Sequence, residues 1–348
     1  MKAVVVGAGL AGLAAAWELM RGGADVTLLE SERRPGGMVA TEYPDGFVVE
    51  GGPDGFLAGE PELPDLAAEL GIGDHVIEQR ARGTSLWTGG RLAPIEEGRA
   101  ASLLGIEARS AEIAAGFRSF ARGMGEPVAA LAEQLSGGLR YAQGVAGLIP
   151  EGRRWRIAIT GGSSQEADAV VLAVPAYGAG RLLQSAGVSG ARDLAEVVYL
   201  PSVTVSLAYR ETQVSQPLSS AGFVVDNPRQ LRACTYASAK FAGRAPAGHV
   251  LLRAFLGPVD DDPARVAHAE LAAILGIRGE PLWSRVYHWV KGLPRYRPRH
   301  AEHVASARKL LARLPPLAIA GAGYDGAGVS ACVRSGREAG REVLRRAS

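Results

Sequence analysis

The stretch "VVVGAGLAGLAAAWELM", Val4 to Met20, decides how the rest of the chain is read. As a signal peptide it would show a basic start, an apolar core and a small-residue cleavage site, which Lys2 and the alanines imitate only weakly. As a membrane span it is too short before Glu18 and Arg21, and too rich in glycine. A third reading accounts for more of its residues. Val4 to Val6 is a short apolar strand that runs into Gly7-Ala8-Gly9-Leu10-Ala11-Gly12, a complete GxGxxG. Leu13 to Met20 then reads as a helix ended near Gly22-Gly23, and Asp25 to Leu29 as a second strand that stops at Glu30. Strand, glycine turn, helix, strand and terminal acid form the βαβ unit of a dinucleotide site. The first glycine allows the tight turn, the second lets the backbone approach a pyrophosphate, and the third lets helix and strand pack closely. The helix N-terminus offers N–H groups to the phosphates. Glu30 lies 18 residues past Gly12, where an acid meets a ribose hydroxyl and disfavours a 2′-phosphate.

The 348 residues suit two domains, or one large domain with an insertion, and are ample for a sizeable core. A formal charge of +2 argues for no nucleic-acid partner, and no block of like charges forms a tail. Two isolated cysteines, Cys234 and Cys332, and six scattered histidines without HExxH speak against a disulfide framework or a zinc site. The chain reads as reduced and cytoplasmic, with no transmembrane segment and with peripheral membrane contact left open.

Glu30 is followed by "SERRPGGMVAT", which carries Arg34, Gly36 and Gly37. This resembles the R-x-G-G stretch of the FAD-dependent amine oxidase and protoporphyrinogen oxidase superfamily, and NAD dehydrogenases ordinarily lack it. "DGFVVEGGPDGFLAGEPELPDLAAELGI", Asp45 to Ile72, resembles the porphyrinogen oxidase branch through Glu50, Gly52, Pro53, Asp54 and Phe56. "LAIAGAGYDGAGVSACVRSGREAGREVL", Leu317 to Leu344, resembles that branch's closing motif: a strand, a glycine-rich turn and a helix. Amine oxidases usually show G-E-x-[TS] here, where this chain has Gly321-Ala322-Gly323-Tyr324. The resemblance implies FAD as cofactor. It places Arg34, Gly37, Met38, Gly52, Pro53, Asp54, Gly55, Ala327, Gly328 and Val329 around the flavin and its phosphates, and Val145 at the adenine, beside the GxGxxG residues and Glu30. Arg34 either bonds the cofactor or braces the loop.

The expected fold is α/β: a Rossmann-like FAD-binding domain with an inserted mixed-sheet substrate domain. Residues 1–58, 126–196 and 284–348 are assigned to the first, and 59–125 and 197–283 to the second. Glu126 to Leu135 reads as a helix, and Leu139 to Thr160 as paired strands.

One stretch departs from the family. A longer helical insertion shrinks here to about thirty residues from Pro94 to Gly125, with Ile106, Ile113, Phe117 and Phe120 at roughly helical spacing. A small packing helix is the preferred reading over a membrane-surface helix. The shortening opens the substrate cavity to a partner wall, a second copy of the chain or another protein. Arg82 is the candidate for a substrate carboxylate, because on a strand it would share a face with Thr84. Arg91 and Arg118 rank behind it, and Phe223 and Thr235 match strands that line the family's pocket. The resemblance implies a small-molecule tetrapyrrole substrate, protoporphyrinogen or coproporphyrinogen, that gives up hydride to flavin N5 with oxygen as acceptor. The sequence offers no Ser-His-Asp, Cys-His or paired-carboxylate constellation, so no residue is assigned as catalytic. The alternatives are another FAD oxidase or desaturase acting on an amine, a terpenoid or a natural product, or a flavin-binding protein that requires a partner.

Overall fold

Four valine and alanine side chains fix the centre of the molecule: Ala3, Val4, Val5 and Val6 are all buried in the strand Lys2–Val6. A strand buried on both faces belongs in a covered parallel sheet. In the computed structural model, which describes residues 1–103, 112–113, 115–226, 228 and 230–347, it pairs in parallel with Asp25–Leu29 and with Ala169–Leu172. Leu139–Arg140 and Leu317–Ile319 complete a five-stranded sheet at its two edges, both pairings parallel. The first helix spans Leu10–Arg21, one turn earlier than the Leu13 expected, because the Gly9 carbonyl already accepts the Leu13 N–H at 2.9 Å. The last helix, Val329–Ala347, crosses it with backbones in contact. A Cβ on Gly336 would lie 2.1 Å from the Ala11 carbonyl oxygen, and one on Gly340 would lie 3.0 Å from that of Ala15.

The second layer is a seven-stranded sheet in the order Trp283–Arg295, Val198–Arg210, His249–Leu256, Leu231–Tyr236, Gly222–Val225, Thr84–Thr88, Arg91–Ile95. Its pairings are antiparallel except Gly222–Val225 with Thr84–Thr88, so the sheet is mixed as expected. One face packs on the helix Pro263–Leu275 through Leu207, Tyr209, Phe223, Tyr236 and Leu252. That helix starts with Asp262, whose carboxylate accepts the Ala264 N–H, and ends at Gly276 in the left-handed region. The other face carries Thr204, Ser206, Arg253, Thr235 and Tyr287, matched by strand register.

Three expectations change. Phe117 and Phe120 do not lie on a helix: Phe117–Phe120 is a strand between Phe56–Leu57 and Val76–Glu78. On a strand, residues three apart face opposite sides: Phe120 is buried against Phe56, while the Phe117 ring lies under the Lys240 ammonium. Ile106 lies outside the described residues; Glu97–Leu103 supplies one short helix. Residue 284 falls inside a strand that pairs with Val198–Arg210 as far as Arg295, so by sheet membership the chain leaves the seven-stranded layer only after Arg295. The helix Glu62–Glu69 packs Leu63 and Leu66 into the core of the first and last helices, on the side opposite to its assignment.

A Cβ on Gly12 would meet the Gly7 carbonyl oxygen at 1.8 Å. We expect Gly12→Ala to destabilise the protein by about 3 kcal/mol or more, the upper end of overpacking costs, because the obstacle is backbone. Denaturant titration checks this.

Candidate cofactor and substrate site

The glycine turn sorts its three glycines by what surrounds them. Gly7 has φ +98° and donates its N–H to the Leu29 carbonyl at 2.7 Å. Gly12 is held by the contact with Gly7 described above. Gly9 is different: its φ of −65° and ψ of 173° suit any residue, and a Cβ there meets no protein atom within 4 Å. The protein therefore does not require glycine at position 9, whereas a ligand lying on the turn would. No side chain caps the helix that follows, and no acid sits in its first turn. The N–H groups around Gly9, Leu10 and Ala11 thus face the positive end of a helix dipole.

Glu30 is buried beside this turn. Its Oε2 accepts the Ala8 N–H at 2.7 Å, and its Oε1 accepts the Glu32 N–H at 2.8 Å. The segment leading to Val145 runs alongside, with the Gln143 N–H on the Glu30 carbonyl at 2.8 Å. Arg34 braces the loop: its guanidinium donates to the carbonyls of Gly37 (2.7 Å) and Val39 (3.1 Å). That holds Gly36, whose N–H donates to the Ala8 carbonyl at 2.7 Å, and brings Gly37 against Gly9.

The closing motif repeats the device. Val6, Leu172 and Ile319 lie in register, so the turns after Val6 and Ile319 open at the same carboxyl edge of the sheet. Ligands of open α/β sheets bind at that edge. Asp325 receives two bonds from Arg308, at 2.8 and 2.6 Å, and one from the Ser335 hydroxyl, which in turn accepts the Gly321 N–H. Ala327, Gly328 and Val329 are left at the surface of the turn, with nothing within 4 Å of a Cβ on Gly328. Ser330, in the first turn of the helix, is fully buried, and its hydroxyl has no protein partner.

Between these turns lies Gly52-Pro53-Asp54-Gly55. Gly52 passes so close to Met38 that a Cβ would sit 1.8 Å from its carbonyl oxygen. Asp54 is bound by Lys240 Nζ at 3.0 and 3.1 Å. Burial works to raise its carboxyl, but the cations Lys240 and Arg253 overcome this and hold it below the ordinary range. Glu50 has the opposite fate: burial pushes it up to about 7, against the Thr41 hydroxyl, Arg244 and the Met124 N–H. Arg244 donates to Ser119 Oγ at 2.7 Å and to the carbonyls of Phe120 and Ala121. Arg253, 6 % exposed, has no partner for its Nε. Sequence reading assigned no role to Lys240, Arg244, Arg253 or Asp325.

The substrate candidates separate. Thr235 lies on the face of the seven-stranded sheet that carries Arg253. Phe223 lies on the other face, 1 % exposed in the helix-covered core. Arg82 is exposed and precedes the strand, and Gly83 at φ +80° breaks the extended geometry that would have matched its side to that of Thr84. Arg118 is paired with Glu78. Two open glycines, an uncapped helix start and a buried orphan hydroxyl at one sheet edge fit a dinucleotide with a flat ring system.

Gly9→Val tests that fit: the apoprotein should lose no more than about 1 kcal/mol, the cost of an apolar residue at a helix N-cap. FAD should bind at least tenfold more weakly, about 1.4 kcal/mol, in a flavin fluorescence titration. Glu50 generates a pH prediction. Its native pKa lies above the unfolded value, so the native state binds the extra proton and stability falls as pH rises from about 4.5 through 7. Glu50→Gln should flatten that part of the pH–stability curve in thermal melts.

The sequence pattern of the flavin-containing amine oxidoreductases matches residues 10–122 and 97–344. The chain is 32% identical to coproporphyrinogen III oxidase of Propionibacterium freudenreichii over 243 residues, covering 66% of this chain but only 45% of that enzyme. It is 26% identical to coproporphyrinogen III oxidase of Mycobacterium tuberculosis over an alignment of 440 positions, covering 97% of this chain and 96% of the relative. The alignment is longer than this chain, so the relative carries residues that are missing here. The structure of an Exiguobacterium protein assigned as a protoporphyrinogen oxidase superposes with a TM-score of 0.84 at 24% identity, covering 99% and 98% of the two chains, and shares the fold. The chain belongs to the family of flavin-containing amine oxidoreductases, and its cofactor is FAD.

Proposed function

We propose that this chain oxidises a porphyrinogen to the porphyrin, with oxygen as final acceptor. The similarity to the Mycobacterium coproporphyrinogen III oxidase carries this reading, because it extends over nearly the whole of both chains. FAD, when bound, supplies the hydride-accepting and oxygen-reducing chemistry.

The chain's own residues bind and orient. In this proposal Gly7, Ala8, Gly9, Leu10, Ala11 and Gly12 hold the pyrophosphate, Glu30 the ribose, and Val145 the adenine. Gly37, Met38, Gly52 to Gly55 and Ala327 to Val329 border the flavin. The cofactor part comprises residues 1–58, 126–196 and the chain after 295.

The sheet face with Thr204, Ser206, Thr235 and Tyr287 covers the reacting side. Its nearest carboxylates are already engaged, Asp54 with Lys240 and Glu50 with Thr41 and Met124. The methylene bridges of a porphyrinogen are electron-rich, so the protein's contribution is to position the ring and exclude water rather than to supply a strong base. No described helix is long and apolar enough to cross a membrane. We place the protein in the cytoplasm, its short side closed by a second copy or another protein.

Anaerobic addition of coproporphyrinogen III or protoporphyrinogen IX to the FAD-loaded protein should bleach the flavin absorbance and raise porphyrin fluorescence. A flavin that stays oxidised with both, and bleaches with amines, would transfer the assignment to an amine oxidase.

A further inference from the structure

One edge of the seven-stranded sheet ends in a two-stranded ribbon. Within it Val198 pairs with Arg295 and Leu200 with Leu293, beyond a bulge that separates them from the Ser202–Trp289 pair. One residue on one strand (Pro201) and three on the other (Val290 to Gly292) lie between these pairs, so the extra residues are on the second strand. On the continuous strand Val198–Arg210, Leu200 and Ser202 are two apart. The ribbon pairs therefore continue the face of Ser202, Trp289, Thr204 and Tyr287. Trp289 donates its indole N–H to the Gly51 carbonyl at 2.8 Å, which joins that face to the Gly52 loop. The opposite side is tied down: Tyr199 Oη accepts the Ala176 N–H at 3.0 Å, and Tyr296 Oη donates to the Ala322 carbonyl at 2.5 Å.

The ribbon's surface chemistry is unusual for this protein. Val198, Leu200, Val290 and Leu293 are 40, 44, 77 and 51 % exposed. Interleaved with them are Lys291, Arg295 and Arg297, all exposed, and no Asp or Glu occurs between Glu280 and Glu302. Some surface arginines find carboxylates, as Arg118 does in Glu78, Arg156 in Glu151 and Arg285 in Glu42, while others, such as Arg33 and Arg313, find none among the described residues. Among the described residues, Arg295 and Arg297 form no ion pair; Lys291 lies over the Tyr177 ring at 3.9 Å, on the side of Tyr199 and away from this face.

An apolar floor with unpaired cations along it complements a flat apolar macrocycle with carboxylates at its rim. We propose that this ribbon seats the porphyrinogen, with Leu200 and Leu293 against the macrocycle and Arg295 on one of its propionates. The inference rests on the function proposed above. It replaces Arg82 as the carboxylate contact. A bonded charge pair is the strong form of such a contact, and Arg adds two-point geometry that Lys lacks.

The test compares wild type with Arg295→Gln and Arg295→Lys, all loaded with FAD. Steady-state oxidation is measured with coproporphyrinogen III, protoporphyrinogen IX and coproporphyrinogen tetramethyl ester. Binding of the product coproporphyrin III is measured separately by fluorescence. Arg295→Gln should raise KM for coproporphyrinogen and weaken product binding by about tenfold or more, with kcat little changed. The increase should appear with protoporphyrinogen too and be absent for the ester, and Arg295→Lys should recover part of it. Unchanged KM and product binding in Arg295→Gln, or an equal loss with the ester, would overturn the ribbon seat while leaving the oxidase reading intact. So would loss of binding to phosphatidylglycerol vesicles with KM unchanged, which would make the ribbon a lipid-facing surface. A wild-type protein that neither oxidises nor binds any of these tetrapyrroles would remove both proposals.

Discussion

The close passage of helix backbone over strand backbone at Gly12 is the constraint on which the rest of the structure depends. Contact with the Gly7 carbonyl fixes where the first helix starts relative to the first strand. The last helix then lies on the first through Gly336 and Gly340, again with backbone against backbone. Because the strands preceding these helices belong to one parallel sheet, both glycine turns open at one edge. Residues separated by more than three hundred positions thereby share a site. A larger residue at either crossing would separate the two turns before it altered any group that touches a ligand.

The second layer is attached to the first by charge as well as by packing. Asp54 and Glu50 come from the loop beside the glycine turn, and Lys240, Arg244 and Arg253 from the seven-stranded sheet and its connection. Buried charges of this kind are weak evidence of net stabilisation, since desolvation offsets much of the attraction. Their geometry is nevertheless specific. Lys240 bonds both oxygens of Asp54, and Arg244 bonds two carbonyls and a hydroxyl of the strand Phe117–Phe120 and the residue after it. The network fixes the angle at which the sheet face meets the Gly52 loop, and with it the height of the space between them.

Much of the first layer was legible in the sequence because its signals are local. A valine strand, a glycine turn and an acid at the end of the next strand each act within a few residues of themselves. The charge network was not legible, since positions 50, 54, 240, 244 and 253 carry no spacing that pairs them. The i, i+3 spacing of Phe117 and Phe120 favours a helix face. This strand, however, is covered on both sides, by Phe56 on one and Lys240 on the other, and takes an aromatic residue on each. Strand partners distant in sequence, Phe56–Leu57 and Val76–Glu78, decided for the strand. The strand-face argument for Arg82 does not hold, for a local reason: a glycine at positive φ stands between it and the strand, and counting by twos does not survive such a residue.

The shortened region between Pro94 and Gly125 changes what the remaining surface has to do. A site enclosed by a long insertion can recognise its ligand from that cover. In the proposal above, recognition falls to the sheet face itself and to its edge. The acid-free run from Pro281 to Ala301 lies along that edge, on a strand tied to the glycine loop by Trp289 and followed by Tyr296, which is tied to the closing motif. These two anchors hold the ribbon against both halves of the cofactor site. The exposed side chains between them therefore occupy a fixed position relative to the Gly52 loop and the closing motif.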